Sequence, residues 1–138
     1  MITKRDIVDE AFELLGMSGY NLDDSPEDSQ SVLLSLDNMM AGMQNGSYDF
    51  GYILADDVTE SYLGDDSGIK RDALSGISHK LALRICNKFG KQPSPLLYKE
   101  ADDAYNEMLT IYQQIPEVAY STDNIVLGAG NKVRWWLV

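Results

Sequence analysis

The amino-acid sequence predicts a mainly α-helical protein: a small bundle of four helices, or slightly more, with a long irregular middle loop and an extended C-terminal arm. Four stretches repeat apolar residues at helical spacing and carry capping residues at their ends. Residues 45–67 lose that spacing, and residues 117–138 lose it again after a proline. A chain of 138 residues is long enough for one core, so we expect a helical body over residues 1–116 and an arm over residues 117–138.

The first predicted helix begins at Thr3, with Asp6 three residues on as a variant of the capping box, and ends at Gly16. Its apolar side chains share one arc of the helix surface, and its acidic side chains fill the opposite arc. The apolar set is Ile7, Val8, Ala11, Phe12, Leu14 and Leu15, and the acidic set is Asp6, Asp9, Glu10 and Glu13. We therefore expect an amphipathic helix with an acidic outer face.

The second predicted helix follows Ser25, which suits an N-cap, and Pro26, which favours the first helical turn. It should end before the turn pair Asn45 and Gly46. Three methionines share its apolar face, namely Met39, Met40 and Met43. We interpret them as flexible core residues. A second interpretation is a Met-rich groove that captures a peptide, which would make the protein a cytosolic helical regulator.

Residues 45–67 form the predicted irregular loop. In this loop Tyr48, Phe50, Tyr52 and Ile53 alternate with polar or small residues, a pattern typical of either a short strand or a packed loop. A loop of this length inside a compact domain is unusual and often functional. We therefore treat it as a candidate functional segment.

The third predicted helix runs from about Ser67 to Phe89 and closes at Gly90. Its apolar arc contains Cys86, the sole cysteine, which we expect to be buried. A basic flank of Lys70, Lys80, Arg84, Lys88 and Lys91 borders this arc. Either the lysine stems cover the edge of the core, or the flank meets the acidic face of a neighbouring copy. The candidate residues for that contact between copies are Lys80, Arg84, Lys88, Asp9 and Glu13.

The fourth predicted helix has Ser94 as its N-cap and Pro95 in its first turn. Its apolar and charged residues again occupy separate arcs, and Ile115 followed by Pro116 ends it. We therefore expect the helical body to stop at this proline.

The arm that follows ends in Trp135, Trp136, Leu137 and Val138. Chain termini fray unless something ties them down, and clustered aromatic residues usually mark contact surfaces. Two interpretations remain open, because aromatic anchors serve both folding and binding. The arm either folds back onto its own body or docks on a partner.

The charge of the chain is concentrated in its first part. Residues 1–60 carry 13 acidic and two basic side chains, whereas residues 61–138 carry nine of each. An acidic surface repels nucleic acid phosphates and cannot bind them through counterion release. Ordinary DNA binding is therefore disfavoured, while a surface that DNA must pass without sticking would have this sign of charge.

Few residues suit catalysis or metal binding. Cys86 and His79 are each the sole residue of their type, which excludes a metal site built on several cysteines or histidines and leaves a catalytic triad unsupported. No catalytic, cofactor-binding or metal-binding residue is therefore predicted, and no apolar run is long enough for a membrane span. One enzymatic alternative remains, a carboxylate-based peptidoglycan hydrolase with Asp56, Asp57 and Glu60 as its candidate acids.

Several segments carry a resemblance to a known family. TKRDIVDEAFELLG (3–16) is similar to an opening helix with a TK-x-D-(L/I)-V start and a closing L-G. SLDNMMAGM (35–43) precedes an aromatic G-Y-x-(L/F)-x-D-D segment at 51–57, and GDDSGIKRDALSGISHKLALRI (64–85) is the most specific match. GAGNKVRWW (128–136) is a looser one. In their order and spacing, these segments resemble the head-to-tail adaptor family of short-tailed bacteriophages, also called tail accessory factors or packaged-DNA stabilisation proteins.

The resemblance implies a virion structural protein rather than an enzyme. Such adaptors assemble as a ring, typically of twelve copies, beneath the portal ring of a DNA-filled capsid. They extend the exit channel, retain packaged DNA and attach later tail proteins. DNA would pass through without specific binding, and neither a cofactor nor a membrane contact is implied. The chain would be made in the host bacterial cytoplasm and become part of the virion neck.

The family's C-terminal extension reaches the portal, and by resemblance this role falls on residues 117–138. The implied portal-binding residues are Tyr120, Ile125, Val126, Leu127, Lys132, Arg134, Trp135, Trp136, Leu137 and Val138. The resemblance also places His79 at a motif position and leads us to expect that Asp66 or Ser67 caps the third helix.

Overall fold

The computed structural model describes residues 1–17, 25–44 and 48–113. Four helices form the body: α1 spans Lys4–Leu14, α2 spans Pro26–Met43, α3 spans Arg71–Ile85 and α4 spans Pro95–Tyr112. One turn of 3-10 helix, Val58–Glu60, interrupts the loop between α2 and α3. In these ranges the chain forms no strand, only two isolated antiparallel bridges, Thr3 with Asp66 and Tyr48 with Gln113. The mainly helical class with four helices and an irregular middle loop is confirmed, whereas the predicted boundary at residue 116 and the arm lie outside the described residues.

The ends of α1 follow from local sequence. Thr3 Oγ1 accepts a hydrogen bond from the Asp6 amide at 3.3 Å, and the Asp6 carboxylate accepts one from the Thr3 amide at 2.8 Å, so the predicted capping box is present. At the other end Gly16 has φ of 71°, its amide donates to Glu13 O, and the Met17 amide donates to Phe12 O. This pair of bonds is a Schellman motif, which favours glycine at that position.

The two proline-started helices also begin where predicted. Ser25 Oγ accepts a hydrogen bond from the Asp28 amide, and Ser94 Oγ accepts one from the Leu97 amide, each at 3.2 Å. Both serines are N-caps, and a proline follows each one at the first helical position. The predicted N-caps of both helices are therefore confirmed.

The prediction for the start of α3 is wrong. This helix begins at Arg71 with Lys70 as its N-cap, no side chain caps it, and it ends at Ile85 instead of Phe89. Ser67 instead donates a side-chain hydrogen bond to the carbonyl of Ile2, and Asp66 accepts one from the amide of Gly68. Contacts with the distant N-terminus therefore keep these residues in an extended segment ahead of the helix.

Helix α3 lies at the centre of the bundle and packs against α1, α2 and α4. Helices α3 and α4 pack closely at Gly76, where an added Cβ would lie 3.1 Å from both the Ala104 carbonyl oxygen and the Met108 sulfur. Only glycine lets α3 and α4 approach this closely without displacing a neighbour. The core around this contact consists mainly of aliphatic and methionine side chains, including Ile7, Leu36, Met40, Ile77, Leu81 and Ile85.

The methionines of α2 belong to this core. Met39 and Met40 are buried, and Met43 is half-buried and packs against the core cluster. Cys86 is buried as expected. The alternative Met-rich groove for a peptide is therefore wrong, because these side chains face inward.

The middle loop is packed, not a strand. Phe50 and Tyr52 are buried in the core, whereas Ile53 is 54% exposed. The Phe50 ring contacts Tyr112 of α4 edge-on, with 5.4 Å between ring centroids. The alternation thus arises because the aromatic side chains at every second position, Tyr48, Phe50 and Tyr52, pack in or against the core. Among the described helices, none is long and apolar enough to cross a bilayer.

Candidate functional site

A buried polar cluster ties the N-terminal helix to α2 and the middle loop. Lys4 is only 1% exposed, and its Nζ lies 3.2 Å from Asp37 Oδ1 and 2.8 Å from Ser61 Oγ. Tyr52 donates its hydroxyl hydrogen to the same Asp37 oxygen at 2.6 Å, and its ring centroid lies 5.1 Å from Lys4 Nζ. Burying a charge is costly unless it is paired and hydrogen-bonded, and here both conditions are met.

The backbone of Tyr52 is held as firmly as its side chain. Gln44, at the end of α2, donates from Nε2 to the Tyr52 carbonyl at 2.9 Å and accepts from the Tyr52 amide at 2.8 Å. Burial and the hydrogen bond to Asp37 raise the pKa of Tyr52 far above its usual range. The phenol therefore stays protonated and keeps donating to the carboxylate.

Sequence reasoning missed this cluster, although one signal for it was present. Lys4 occupies the same helical stripe as Ile7, Val8 and Ala11, because positions i, i+3, i+4 and i+7 share one face. A lysine on an apolar stripe predicts a buried acidic partner, because a buried charge is costly unless it is paired. Nothing local could identify that partner as Asp37, which lies 33 residues away.

An apolar groove runs along the outer face of α2 beside this cluster. Its volume is about 650 Å³, and it lies between α2 and the 3-10 turn Val58–Glu60. Leu33, Leu34 and Val58 supply apolar walls, while Glu27, Asp37 and Ser61 supply polar lining. Leu34 is 41% exposed and Val58 is 61% exposed, so apolar surface stays open to water here. A smaller hollow of about 160 Å³ shares Asp37 and Val58 and extends the groove toward Leu54.

Two residues of the predicted basic flank of α3, Lys80 and Lys88, contact other parts of their own chain. Lys80 pairs with Asp102 of α4 at 3.1 Å and lies 4.7 Å from the centroid of the Tyr105 ring. Lys88 donates to Ser35 of α2 at 2.6 Å. These contacts favour the first interpretation, that lysine stems cover the core edge. Arg84, Asp9 and Glu13 are exposed on the surface, and their contact with a neighbouring copy stays a prediction.

The candidate hydrolase acids do not form an enclosed site. Asp56, Asp57 and Glu60 are all exposed, and Asp57 Oδ1 accepts a hydrogen bond from the Thr59 amide at the start of the 3-10 turn. His79 lies half-buried on α3, with Nδ1 2.7 Å from the Ser75 carbonyl oxygen. Across the described ranges, no cluster of three acidic, histidine or cysteine side chains could hold a metal ion.

The implied portal-binding residues, from Tyr120 to Val138, lie outside the described residues. Their predicted roles therefore stay predictions. The described residues that stand out as a binding surface are instead those of the groove along α2, which sequence reasoning did not identify.

Comparison with known proteins shows that the chain is similar to a phage protein and matches the sequence model of a family. The chain is 28% identical over 132 residues to the peptidoglycan hydrolase gp27 of Acyrthosiphon pisum secondary endosymbiont phage 1, an alignment that covers 94% of this chain and 82% of that protein. The sequence model of the P22 tail accessory factor family matches residues 1–136. That match includes the four helices, the packed middle loop and nearly all of the C-terminal segment, so the chain belongs to the P22 tail accessory factor family.

Proposed function

We propose that this protein is a head-to-tail adaptor that assembles as a ring beneath the portal ring, extends the DNA exit channel and provides the surface to which later tail proteins attach. The observation that carries the proposal is the family match over residues 1–136, which spans both the helical body and the C-terminal segment. A ring of twelve copies is the arrangement that we propose for the virion.

The charge distribution supports a role around DNA without binding to it. The first 60 residues carry 13 acidic and two basic side chains. Carboxylates that line or border a conduit repel the phosphate backbone and reduce friction from nonspecific contacts. In this proposal the protein retains packaged DNA by closing and extending the channel rather than by gripping DNA.

The construction of the body supports a separate task for the C-terminal segment. The core of the described ranges is filled by side chains from α1 to α4 and the middle loop. We propose that residues 117–138 reach a partner, because Trp135 and Trp136 are the kind of aromatic anchors that dominate interfaces. We propose the portal ring as that partner.

The test is binding of the full-length chain to the portal ring of the same phage, measured by sedimentation and negative-stain imaging. Wild-type protein should add a ring of density below the portal, and replacing Trp135 and Trp136 together with alanine should weaken binding on the order of 30-fold or more, since interface anchors are often worth 2 kcal/mol or more. Leu96→Ala, an exposed apolar residue of α4, is the matched control and should leave binding unchanged. Equal binding by the double tryptophan variant would refute the role of the arm.

A second candidate function is peptidoglycan hydrolysis that helps DNA cross the cell envelope. The observation in its favour is the relative described as a peptidoglycan hydrolase, which is 28% identical over most of both chains. The candidate acids of this chain are Asp56, Asp57 and Glu60, and a glycoside hydrolase needs one carboxylic acid and one carboxylate flanking the bond. Digestion of purified peptidoglycan by wild type, but not by Asp56→Asn, Asp57→Asn or Glu60→Gln variants, would support it. Absence of turnover, or turnover unaffected by all three changes, would exclude these acids.

A further inference from the structure

We propose that, in the free subunit, residues 132–138 of the chain's own C-terminal arm occupy the apolar groove between α2 and the 3-10 turn Val58–Glu60. The inference rests on the proposed function in one respect: binding to the portal is what displaces the arm from the groove during assembly. It joins the two interpretations of the arm, because the same segment lies on its own body before assembly and on a partner afterwards.

The groove has the size and lining of a binding site. Its volume of about 650 Å³ lies within the range of roughly 300–1,000 Å³ that is usual for small-ligand sites, so it has room for apolar side chains of the segment. Leu33 forms a buried base, and Leu34 and Val58 leave 41% and 61% of their surfaces open to water. Covering such apolar surface is favourable by about 25 cal/mol for each Å² removed from water.

The charges of the groove and of the segment are opposite. Glu27 lines the groove, and Asp57 and Glu60 lie exposed on the loop beside it, whereas Asp37 is already paired with Lys4. The segment K-V-R-W-W-L-V carries Lys132 and Arg134 among apolar and aromatic residues, with no acid. An amphipathic cationic segment thus meets an apolar surface with an acidic rim, and charge complementarity of this kind selects and orients a partner.

The arm of the same chain can reach the groove. The described body ends at Gln113, and the 19 residues from there to Lys132 span up to about 60 Å when extended. A domain of about 100 residues has a radius of gyration of only about 13 Å, so any point on its surface is within reach. A tethered segment also binds at a high effective concentration, on the order of millimolar for a flexible linker.

This arrangement would shield the aromatic residues until assembly. An exposed Trp-Trp-Leu-Val sequence invites association with other apolar surfaces. A surface groove holds the segment more weakly than a core does, so a portal pocket with higher affinity can displace it. Competition between groove and portal would then limit ring formation to the place where a portal is present.

The chain provides its own probe for a test. Trp135 and Trp136 are its only tryptophans, so tryptophan fluorescence reports solely on the segment in question. In dilute wild-type protein we expect blue-shifted emission and restricted quenching by acrylamide. Leu34→Lys and Val58→Lys place a positive charge in the groove, and each should shift the emission to that of water-exposed indole and raise the quenching constant.

Leu96→Lys is the matched control, because Leu96, at 63%, is about as exposed as Val58, at 61%, but lies on α4 away from the groove. It should leave emission and quenching as in wild type, and far-UV circular dichroism should show that all three variants are folded. Water-exposed emission in the wild type, or emission unaffected by both groove variants, would overturn the proposal. A blue shift that disappears on dilution would also overturn it, since the groove would then hold the arm of a second copy.

Failure of this inference can be told apart from failure of the proposed function. If the protein is an adaptor and the arm occupies the groove, Leu34→Lys and Val58→Lys should bind the portal ring as tightly as wild type, or more tightly, because the competing site is lost. If no variant binds a portal but the fluorescence contrast remains, the groove assignment stands and the adaptor function fails. If portal binding is intact but the tryptophan emission of wild type equals that of the Leu34→Lys and Val58→Lys variants, only the groove assignment fails.

Discussion

Lys4 and Asp37 form a buried ion pair, with 3.2 Å between Nζ and Oδ1, that joins the first turn of α1 to the middle of α2. Their side chains are 2% and 14% exposed, and Tyr52 donates a hydrogen bond to the same carboxylate oxygen. A pair in this position is costly to break, because removing one partner leaves the other charge without compensation. The pair also sets where the middle loop lies, since Ser61 and Tyr52 both contact it.

Lys4→Met should lower the free energy of unfolding by about 3 kcal/mol, the low end for buried pairs, because Asp37 loses its cation but is 14% exposed and keeps the Tyr52 hydrogen bond. Urea denaturation followed by circular dichroism measures the change. Arg5→Met is the control on the adjacent, exposed position and should change stability by less than about 0.5 kcal/mol. Equal effects of the two substitutions would show that the ion pair does not stabilise the fold.

Stability should fall as pH rises above about 10, where the tyrosines of an unfolded chain ionise. Burial and the hydrogen bond to Asp37 raise the pKa of Tyr52 in the folded protein. Above pH 10 the unfolded chain therefore releases a proton that the folded chain keeps, which lowers stability by about 1.4 kcal/mol per pH unit for this group.

Tyr52→Phe should make the dependence of the urea midpoint on pH, measured between about pH 9 and 11, less steep. Part of the slope should remain, because burial and Asp72 also raise the pKa of Tyr112. Tyr62→Phe, at a tyrosine that is 63% exposed, is the control and should retain the wild-type slope. A Tyr52→Phe slope as steep as that of wild type would contradict the assignment.

Gly76→Leu should destabilise the protein by about 1–3 kcal/mol, as is typical of overpacking. An added Cβ at this position already lies 3.1 Å from the Ala104 carbonyl oxygen, so α3 and α4 would have to separate. Gly42→Ala on α2 is the opposite case, since nothing lies within 4 Å of the added Cβ. That substitution should stabilise the helix by about 0.5–1 kcal/mol. Thermal unfolding of both variants checks the pair, and the same sign of change in both would contradict the packing argument.

Lys70→Asp should stabilise the protein by about 0.5–1 kcal/mol, because α3 starts without a side-chain cap. Lys70 already has the extended backbone of an N-cap, with φ of −87° and ψ of 162°, and it is exposed. An acidic residue there would accept an amide hydrogen bond and interact favourably with the helix dipole. Ser94→Ala, which removes an existing cap, should cost about 1 kcal/mol in the same assay. No gain from Lys70→Asp would mean that the α3 amides are already satisfied.

Helix starts could be predicted where the signal lies within one turn. The caps at Thr3, Ser25 and Ser94 each bond an amide three residues away, so a short stretch of sequence contains both partners. The start of α3 could not be predicted in this way. Ser67 has the chemistry of a cap, but its hydroxyl bonds the Ile2 carbonyl, 65 residues away in the chain.

The candidate binding surface was also beyond sequence reasoning. The apolar stripe of α2 predicts a face for the core, and Leu34 lies off that face as a single exposed leucine. Single exposed apolar residues are ordinary on protein surfaces. Leu34 becomes part of a groove only because the middle loop returns across α2 and places Val58 opposite it.

By itself, the sequence determined the helical class, three of the four helix starts, the acidic first part of the chain and the family to which the chain belongs. Each of these depends on composition or on residues within a few positions of one another. Only the tertiary structure decided that Lys4 is buried, that the Ser67 hydroxyl bonds the Ile2 carbonyl, and that one face of α2 forms a groove. The physical reason is that burial and long-range pairing depend on which distant segments exclude water from a side chain, and no local pattern contains that information.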